Sequence, residues 1–192
     1  GPPQYKPVDE SHPKNPADLY GTIKVCCEEV GRYYRKRYGI EFFALRYSTI
    51  YGPGKEARHG ALSFYGQLIE KAMAGDKWVI ESGGDQLNDA VYVGDVAQSL
   101  RCALTVPPSD VWQFNIGTGK GSTPREFLKA LDEICPGHKI EMGSGDSQLG
   151  RSKQSFCIFD ISAARKHIGY EPAYDVKKGV RDYVETIKRL RS

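Results

Sequence analysis

Two residues near the start of the chain, Tyr20 and Lys24, have the types and the spacing needed for proton transfer. Four residues apart in a helix, their side chains lie on the same face. A tyrosine hydroxyl ordinarily has a pKa of about 10, too high for a base at neutral pH. A neighbouring ammonium favours the phenolate and lowers that pKa. The pair could therefore exchange a proton with a hydroxyl or keto group of a substrate.

The helix that must hold this pair is predicted to run from Pro16 to Tyr38. Asn15 precedes it as a possible cap, and proline suits a first turn. Gly39 ends it, since glycine tolerates the left-handed conformation of a helix C-terminus. A second match to the same spacing, from Tyr51 to Lys55, contains Pro and two Gly, so no regular helix holds that pair on one face.

Strands and helices alternate along the rest of the chain, which predicts an α/β protein. Strands are expected at Glu41–Arg46, Trp78–Glu81, Gln113–Ile116, Lys139–Met142 and Phe156–Phe159, and helices at Ala61–Ala74, Val93–Leu104, Ser162–Ile168 and Val176–Leu190. Another helix should begin at Thr123, where Thr-Pro-Arg-Glu has the capping-box spacing. Residues 47–60 read as a Gly- and Pro-rich loop. The turn GTGKGS lacks the P-loop spacing and is interpreted as a structural strand-to-helix turn.

Composition argues against a nucleic-acid-binding protein, a membrane protein and a cysteine-rich metal protein. The 192 residues carry 27 basic and 24 acidic side chains, well mixed along the chain, so no basic face suggests nucleic acid. No apolar run approaches the roughly 20 residues that a membrane crossing requires. The five cysteines form neither CxxC pairs nor Cys/His metal spacings. Free thiols, no metal site and a cytoplasmic location are therefore expected.

Longer stretches around the Tyr–Lys pair resemble a known family. They are PVDESHPKNPADLYGTIKVCCEEV, GIEFFALRYSTIYGPG, DQLNDAVYVGDVAQSL, FNIGTGKGSTPREFL and DISAARKHIGYEP, which cover nearly the whole chain in order. The chain is similar to the NAD-dependent epimerase/dehydratase group of the extended short-chain dehydrogenases/reductases, and to UDP-glucose 4-epimerase in particular. The resemblance implies a Rossmann-type doubly wound α/β fold, of which this chain is the C-terminal part, together with the small substrate-binding domain.

The resemblance also implies roles for individual residues. Tyr20 would be the catalytic acid and base, and Lys24 would also contact the nicotinamide ribose of NAD. The loop Tyr47, Ser48 and Thr49 would pass beneath the nicotinamide. The third catalytic residue of the family, a Ser or Thr upstream of a Val-Tyr-Gly turn, would lie before Gly1 and outside the chain.

Substrate-binding positions depart in part from the family pattern. Thr49 and Asn88 stand where these enzymes commonly have Asn and Arg, and Arg151 matches a second Arg that binds the diphosphate. An amide cannot make the two charged hydrogen bonds of a guanidinium. The sequence therefore retains one of the two arginines expected at the phosphate site. A nucleotide sugar is the first expectation. We expect Arg151 to contribute more to its binding than Asn88, and a smaller or differently held substrate is the alternative.

The expected organisation has two parts: residues 1–60, a remnant of the Rossmann domain, and residues 61–192, mainly substrate-binding with some segments returning to the sheet. No G-x-G-x-x-G turn is present, so we expect that the cofactor-binding half is missing and that the chain alone neither binds NAD nor turns over substrate. The family dimerises through the Tyr-bearing helix, so self-association is expected. A non-catalytic binding or assembly module, or a reductase of a smaller non-nucleotide substrate, are the alternatives.

Overall fold

A computed structural model describes residues 3–54, 63–146 and 157–191, which form helices and parallel strands in alternation. The helices are α1 (Leu19–Tyr38), α2 (Phe64–Ala74), α3 (Val93–Thr105), α4 (Pro124–Ile134), α5 (Ser162–Ile168) and α6 (Val176–Arg191). The strands are β1 (Ala44–Tyr47), β2 (Thr49–Tyr51), β3 (Lys77–Ile80), β4 (Ala90–Tyr92), β5 (Gln113–Ile116) and β6 (Lys139–Met142).

The strands pair as three parallel couples: β1 with β5, β2 with β4, and β3 with β6. Each couple joins strands that are distant in the chain, and parallel pairing requires such crossovers. The β1–β5 register sets Ala44 opposite Gln113. The predicted α/β class with parallel strands is confirmed, and strands at 113–116 and 139–142 lie where the sequence placed them.

Some predicted strands were wrong, and two strands were missed. The first strand begins at Ala44, three residues later than expected, because its partner β5 begins only at Gln113. Residues 157–159 form no strand; Phe159 makes an isolated bridge to Val8. Strands β2 and β4 were not predicted, because each has only three residues and an alternation of apolar and polar side chains cannot be recognised over so short a segment.

Helix α1 begins at Leu19, later than the predicted Pro16, because Asp18 and not Asn15 caps it. The Asp18 carboxylate accepts a hydrogen bond from the Gly21 amide at 2.7 Å. The predicted end is confirmed: Gly39 is left-handed, with φ of 68°.

An aromatic cluster joins the β2–β4 couple to the helices that cover it. The Tyr65 and Phe127 rings lie 4.3 Å apart, and Tyr51 contacts Phe127 at 5.0 Å between centroids. These side chains come from α2, α4 and β2, and all three are buried. The predicted capping box at Thr123 and Glu126 is confirmed, and it fixes the start of the helix that carries Phe127.

Helix α1 attaches to β1 through charged side chains. None of its 20 residues, all of which the structure describes, is buried. The Glu28 carboxylate accepts two hydrogen bonds from Arg46 of β1, both at 2.8 Å, and forms an ion pair with Lys14 at 2.8 Å. Burial raises the pKa of Glu28, but the bonds from Arg46 and Lys14 outweigh it, so the pKa lies below its ordinary value.

We predict that Glu28→Gln lowers the free energy of unfolding at pH 7 by about 1.5–3 kcal/mol, the range for hydrogen bonds to charged groups. A carboxylate whose pKa is lowered by folding stabilises the protein above its unfolded pKa, here 4.5. The difference between the wild-type chain and the variant should therefore disappear as the pH falls through the lowered pKa of Glu28. Urea unfolding at pH 7 and pH 3 measures both effects.

Glu29→Gln is the matched control, because Glu29 pairs with Arg32 at 2.7 Å on the exposed side of the same helix and lies at 3.7 Å from Lys14, farther than Glu28 does. Exposed pairs stabilise proteins by less than about 1 kcal/mol. Equal losses of stability in the Glu28 and Glu29 variants would contradict the anchoring role of Glu28.

Candidate active site

The Tyr20–Lys24 pair lies at the exposed start of α1. The Asp18 cap fixes the first turn, and Tyr20 follows one residue into the helix. The Tyr20 side chain is 70% exposed, and the Lys24 ammonium lies 5.3 Å from the centre of its ring. The same-face placement predicted from the spacing is therefore confirmed.

The Lys24 ammonium has no carboxylate partner within residues 3–54, 63–146 and 157–191. The carboxylates nearest in sequence, Glu28 and Glu29, are engaged with Arg46, Lys14 and Arg32. A lysine without an ion pair keeps its three N–H donors available for a ligand. The arrangement thus leaves both a hydroxyl and an ammonium accessible on one helix face.

Tyr47, Ser48 and Thr49 are not a loop, as the sequence suggested, but the junction between β1 and β2. Parallel pairing on both sides holds it, since the Ser48 amide donates to the Ile116 carbonyl at 2.9 Å and the Thr49 amide donates to the Asp89 carbonyl at 3.0 Å. The Tyr47 hydroxyl lies 3.3 Å from the Ser99 hydroxyl of α3. The Ser48 hydroxyl oxygen is buried without a hydrogen-bond partner among the described residues.

Thr49 and Asn88 lie side by side. The Asn88 amide nitrogen donates to the Thr49 hydroxyl at 2.9 Å, and the same hydroxyl lies 3.2 Å from the Asn88 amide oxygen. Two backbone hydrogen bonds with Ser122, of 2.9 and 2.8 Å, hold the main chain of Asn88, which is 3% exposed. The structure therefore brings two of the predicted substrate residues together in a rigid frame.

The structure does not join the two groups of predicted residues directly. Within the described ranges, no hydrogen bond or ion pair links Tyr20 or Lys24 to Thr49 or Asn88. Arg151 lies outside the described residues, and so does Lys55 of the second Tyr-x-x-x-Lys match.

Asp89 has a structural role that the sequence did not reveal. Its carboxylate accepts hydrogen bonds from the Thr118 amide and hydroxyl, both at 2.8 Å, and from the amides of Gly119 and Phe159. Burial raises the pKa of this carboxyl, although these hydrogen bonds act in the opposite direction. The amides of the GTGKGS turn thus bind an internal carboxylate, which agrees with the structural interpretation of that turn.

A crevice of about 560 Å³ lies between the starts of α4 and α6 and the residues after α5. Three of its charged side chains are already paired: Arg165 with Glu171, which also lines the crevice, and Lys177 with Glu133. None of the predicted site residues that the structure describes lines it. The crevice borders the candidate site, because Ser122, which lines it, holds the main chain of Asn88.

Among residues 3–54, 63–146 and 157–191, no three His, Cys, Asp or Glu side chains come together in a way that would hold a metal ion. None of the helices in these ranges combines the length and the apolar character that a membrane crossing demands.

Comparison with known proteins gives the family. Residues 1–117 match the NAD dependent epimerase/dehydratase family. A Methanocaldococcus jannaschii protein named "Putative UDP-glucose 4-epimerase" is 35% identical over 98% of this chain and 59% of its own length. The chain thus spans about three fifths of that relative.

Solved structures agree in fold. UDP-glucose 4-epimerase of Thermotoga maritima, solved with UDP-glucose, is 28% identical, with a TM-score of 0.80 over 97% of this chain and 58% of its own. The Thermus thermophilus UDP-glucose 4-epimerase, solved with NAD, is 27% identical, with a TM-score of 0.76 over 97% of this chain and 59% of its own. The fold is that of the Rossmann-type epimerases, and the chain belongs to the NAD dependent epimerase/dehydratase family.

Proposed function

We propose that this chain carries the acid–base pair and much of the sugar-binding site of an NAD-dependent epimerase that acts on a UDP-sugar. The observation that carries the proposal is the placement of Tyr20 and Lys24 on one exposed face of α1, with both side chains accessible. Membership of the family and likeness to structures solved with UDP-glucose and with NAD support it.

In this proposal, Tyr20 moves the proton. Its phenolate oxygen takes the proton from a sugar hydroxyl as that carbon is oxidised, and the hydroxyl returns the proton when the carbon is reduced from the other face. The Lys24 ammonium lies on the same face of α1, 5.3 Å from the centre of the Tyr20 ring. NAD, when bound, supplies reversible acceptance of the hydride.

The residues present fit the nicotinamide end of NAD. The Lys24 ammonium, which has no ion pair among the described residues, could donate to ribose hydroxyls, and the Ser48 hydroxyl, unpartnered in the same ranges, could bind a polar group of the cofactor. Tyr47 contributes less, because its hydroxyl already contacts Ser99. Within residues 3–54, 63–146 and 157–191 we identify no group for the pyrophosphate, since the sequence contains no G-x-G-x-x-G turn and the amides of Thr118 and Gly119 bind Asp89.

The chain divides, in this proposal, into a Rossmann part at residues 1–60 and a mainly substrate-binding part at residues 61–192. The pairing of β5 with β1 supports the return of one segment of the second part to the first. Thr49, Asn88 and Arg151 are the proposed substrate residues, and Arg151 would supply the positive charge that a diphosphate requires.

A second candidate is a reductase of a smaller substrate that carries no nucleotide. The observation that favours it is the neutral side chain at position 88, which is buried against Thr49 and leaves no cation where the family's enzymes commonly have arginine.

We predict that Tyr20→Phe abolishes epimerase turnover without affecting the fold. The test fuses the chain to the part of the Methanocaldococcus jannaschii relative that it does not cover, and assays the interconversion of UDP-glucose and UDP-galactose. Loss of general acid–base catalysis should lower turnover by about 10²–10⁴-fold. Circular dichroism checks that the helical content is unchanged.

Tyr38→Phe serves as the control, since Tyr38 is also exposed but ends the same helix. It should leave turnover unchanged. Near wild-type activity in the Tyr20→Phe fusion would refute the catalytic assignment, whereas an inactive unsubstituted fusion would count against the proposed substrate.

We also predict that the chain self-associates through α1. Val30, Tyr33 and Tyr34 are 57%, 58% and 48% exposed, and Val25 is half-buried beside them. Exposed apolar patches on a helix mark interaction sites. Light scattering should show a dimer or larger species that Tyr33→Glu reduces to a monomer. A strict monomer at high concentration would contradict this prediction.

Finally, the 192-residue chain should show no saturable binding of NAD at micromolar concentration. Lys24 and Ser48 reach only one end of the cofactor, and a Rossmann half anchors the dinucleotide chiefly through its pyrophosphate. Isothermal titration of the chain with NAD measures this directly. Saturable micromolar binding would reveal a cofactor site elsewhere in the chain.

A further inference from the structure

The loop of residues 81–87 joins β3 to Asn88 and forms neither helix nor strand. It includes Gly83 and Gly84, and glycine loses more conformational freedom on ordering than any other residue. Such a loop keeps one conformation only when other segments hold it. The position of Asn88, one of the proposed substrate residues, thus depends on what this loop contacts.

The segment that follows β6 lies against this loop. The Gly84 amide donates to the Gly143 carbonyl at 3.1 Å, and the Asp85 amide donates to the Gly145 carbonyl at 2.9 Å. The approach is close, since a Cβ on Gly84 would lie 2.6 Å from the Gly143 carbonyl oxygen. In sequence this segment leads on to Arg151, another of the proposed substrate residues.

The Asp85 carboxylate joins the loop to two distant parts of the chain. One of its oxygens accepts a hydrogen bond from Nε of Arg125 at 2.9 Å, and the other accepts one from the Gly145 amide at 2.8 Å. These partners lie 40 and 60 residues from Asp85 in sequence. A carboxylate that only closes a turn bonds to its own neighbours, so Asp85 has a wider role.

The start of α4 holds the loop at both ends. Arg125, in the first turn of α4, donates its amide to the Gly84 carbonyl at 3.0 Å, and its Nη2 lies 3.4 Å from the Ser144 hydroxyl. Ser122, just before the same helix, makes the two backbone hydrogen bonds that hold Asn88. The ion pair of Arg125 with Asp85 therefore connects α4, the loop and the segment after β6.

Charge strengthens this connection. The hydrogen bond from Arg125, together with that from the Gly145 amide, holds the pKa of Asp85 below its ordinary value, so the carboxylate is ionised at neutral pH. The side chains of Arg125 and Asp85 are 41% and 48% exposed. Pairs this exposed add little to the stability of a fold. The main effect of this pair is thus on the geometry of the three segments that it joins.

We propose that Asp85 and Arg125 are positioning residues that set the placement of Asn88 relative to the segment leading to Arg151, as a nucleotide-sugar substrate requires. The proposal rests on the proposed function, which assigns Asn88 and Arg151 to the substrate. Both residues act through the loop and not on the reacting atoms. Without their link the loop gains conformations that binding must then suppress, which weakens affinity.

The first test measures UDP-glucose binding to the 192-residue chain by isothermal titration. Asp85→Ala should weaken binding by about three- to tenfold, the order of one lost hydrogen bond. Arg125→Ala should weaken it by no more than Asp85→Ala does. The double variant should bind as Asp85→Ala does, because the two side chains act through one link.

Glu133→Ala is the matched control. Glu133 is also an exposed carboxylate, lies on the same helix as Arg125 and pairs with Lys177. It should leave the affinity within about twofold. Both Glu133→Ala and Asp85→Ala should lower the melting temperature by no more than about 4 °C, as the loss of an exposed ion pair does.

Two further measurements separate positioning from stability. Amide hydrogen exchange in Asp85→Ala should become faster in residues 81–88 and 143–146 and stay unchanged in α6, whereas Glu133→Ala should leave the loop unchanged. In the fusion with the Methanocaldococcus jannaschii segment, Asp85→Ala should raise KM for UDP-glucose by about three- to tenfold and leave kcat within about twofold, because the acid–base pair on α1 is untouched.

Three outcomes would overturn this inference while leaving the proposed function in place. They are an unchanged affinity and KM in Asp85→Ala, a fall in kcat in place of a rise in KM, and a greater loss of affinity in Arg125→Ala than in Asp85→Ala, which would mean that Arg125 binds the substrate directly. An unsubstituted fusion that is inactive, together with an unsubstituted chain that does not bind UDP-glucose at millimolar concentration, would instead overturn the proposed function, and this inference with it.

Discussion

The contact between Glu28 and Arg46 holds the proposed acid–base helix against the strand that leads to the substrate residues. Helix α1 buries none of its described side chains, and Phe42 packs its ring against Gly31 of the helix. Glu28 binds Arg46 of β1 and Lys14, and at the far end the Arg35 guanidinium donates to the carbonyls of Phe42 and Ser109. Charged hydrogen bonds have strict geometry, so they help to fix the orientation of this helix.

Parallel pairing sets the second half of the site. Strand β2 begins at Thr49, and its partner β4 begins at Ala90, so Thr49 meets the residues just before β4. Backbone hydrogen bonds to Ser122 hold Asn88 just before β4. The Asp89 carboxylate binds the amide of Thr118, in the turn after β5. The segments around Thr49, Asn88 and Ser122 thus lie together, because backbone hydrogen bonds fix how each segment is aligned with the next.

The side chains that meet at this point are uncharged: Thr49 offers a hydroxyl and Asn88 an amide. A buried amide paired with a threonine hydroxyl recognises hydroxyl and carbonyl groups, whereas a guanidinium recognises phosphate. The proposed reaction needs only a proton carrier and a correctly held sugar near the cofactor. Neutral hydrogen-bonding groups around Thr49 are compatible with that requirement, because they select by geometry and not by charge.

The sequence by itself determined the class of fold and the chemistry of the helix. Capping residues at Thr123 and Gly39 and the four-residue spacing of Tyr20 and Lys24 are local, so their outcomes follow from neighbouring residues. Only the tertiary structure decided the rest. Strand β2 exists because β4 pairs with it, and Thr49 meets Asn88 because two distant segments converge, which no local pattern records.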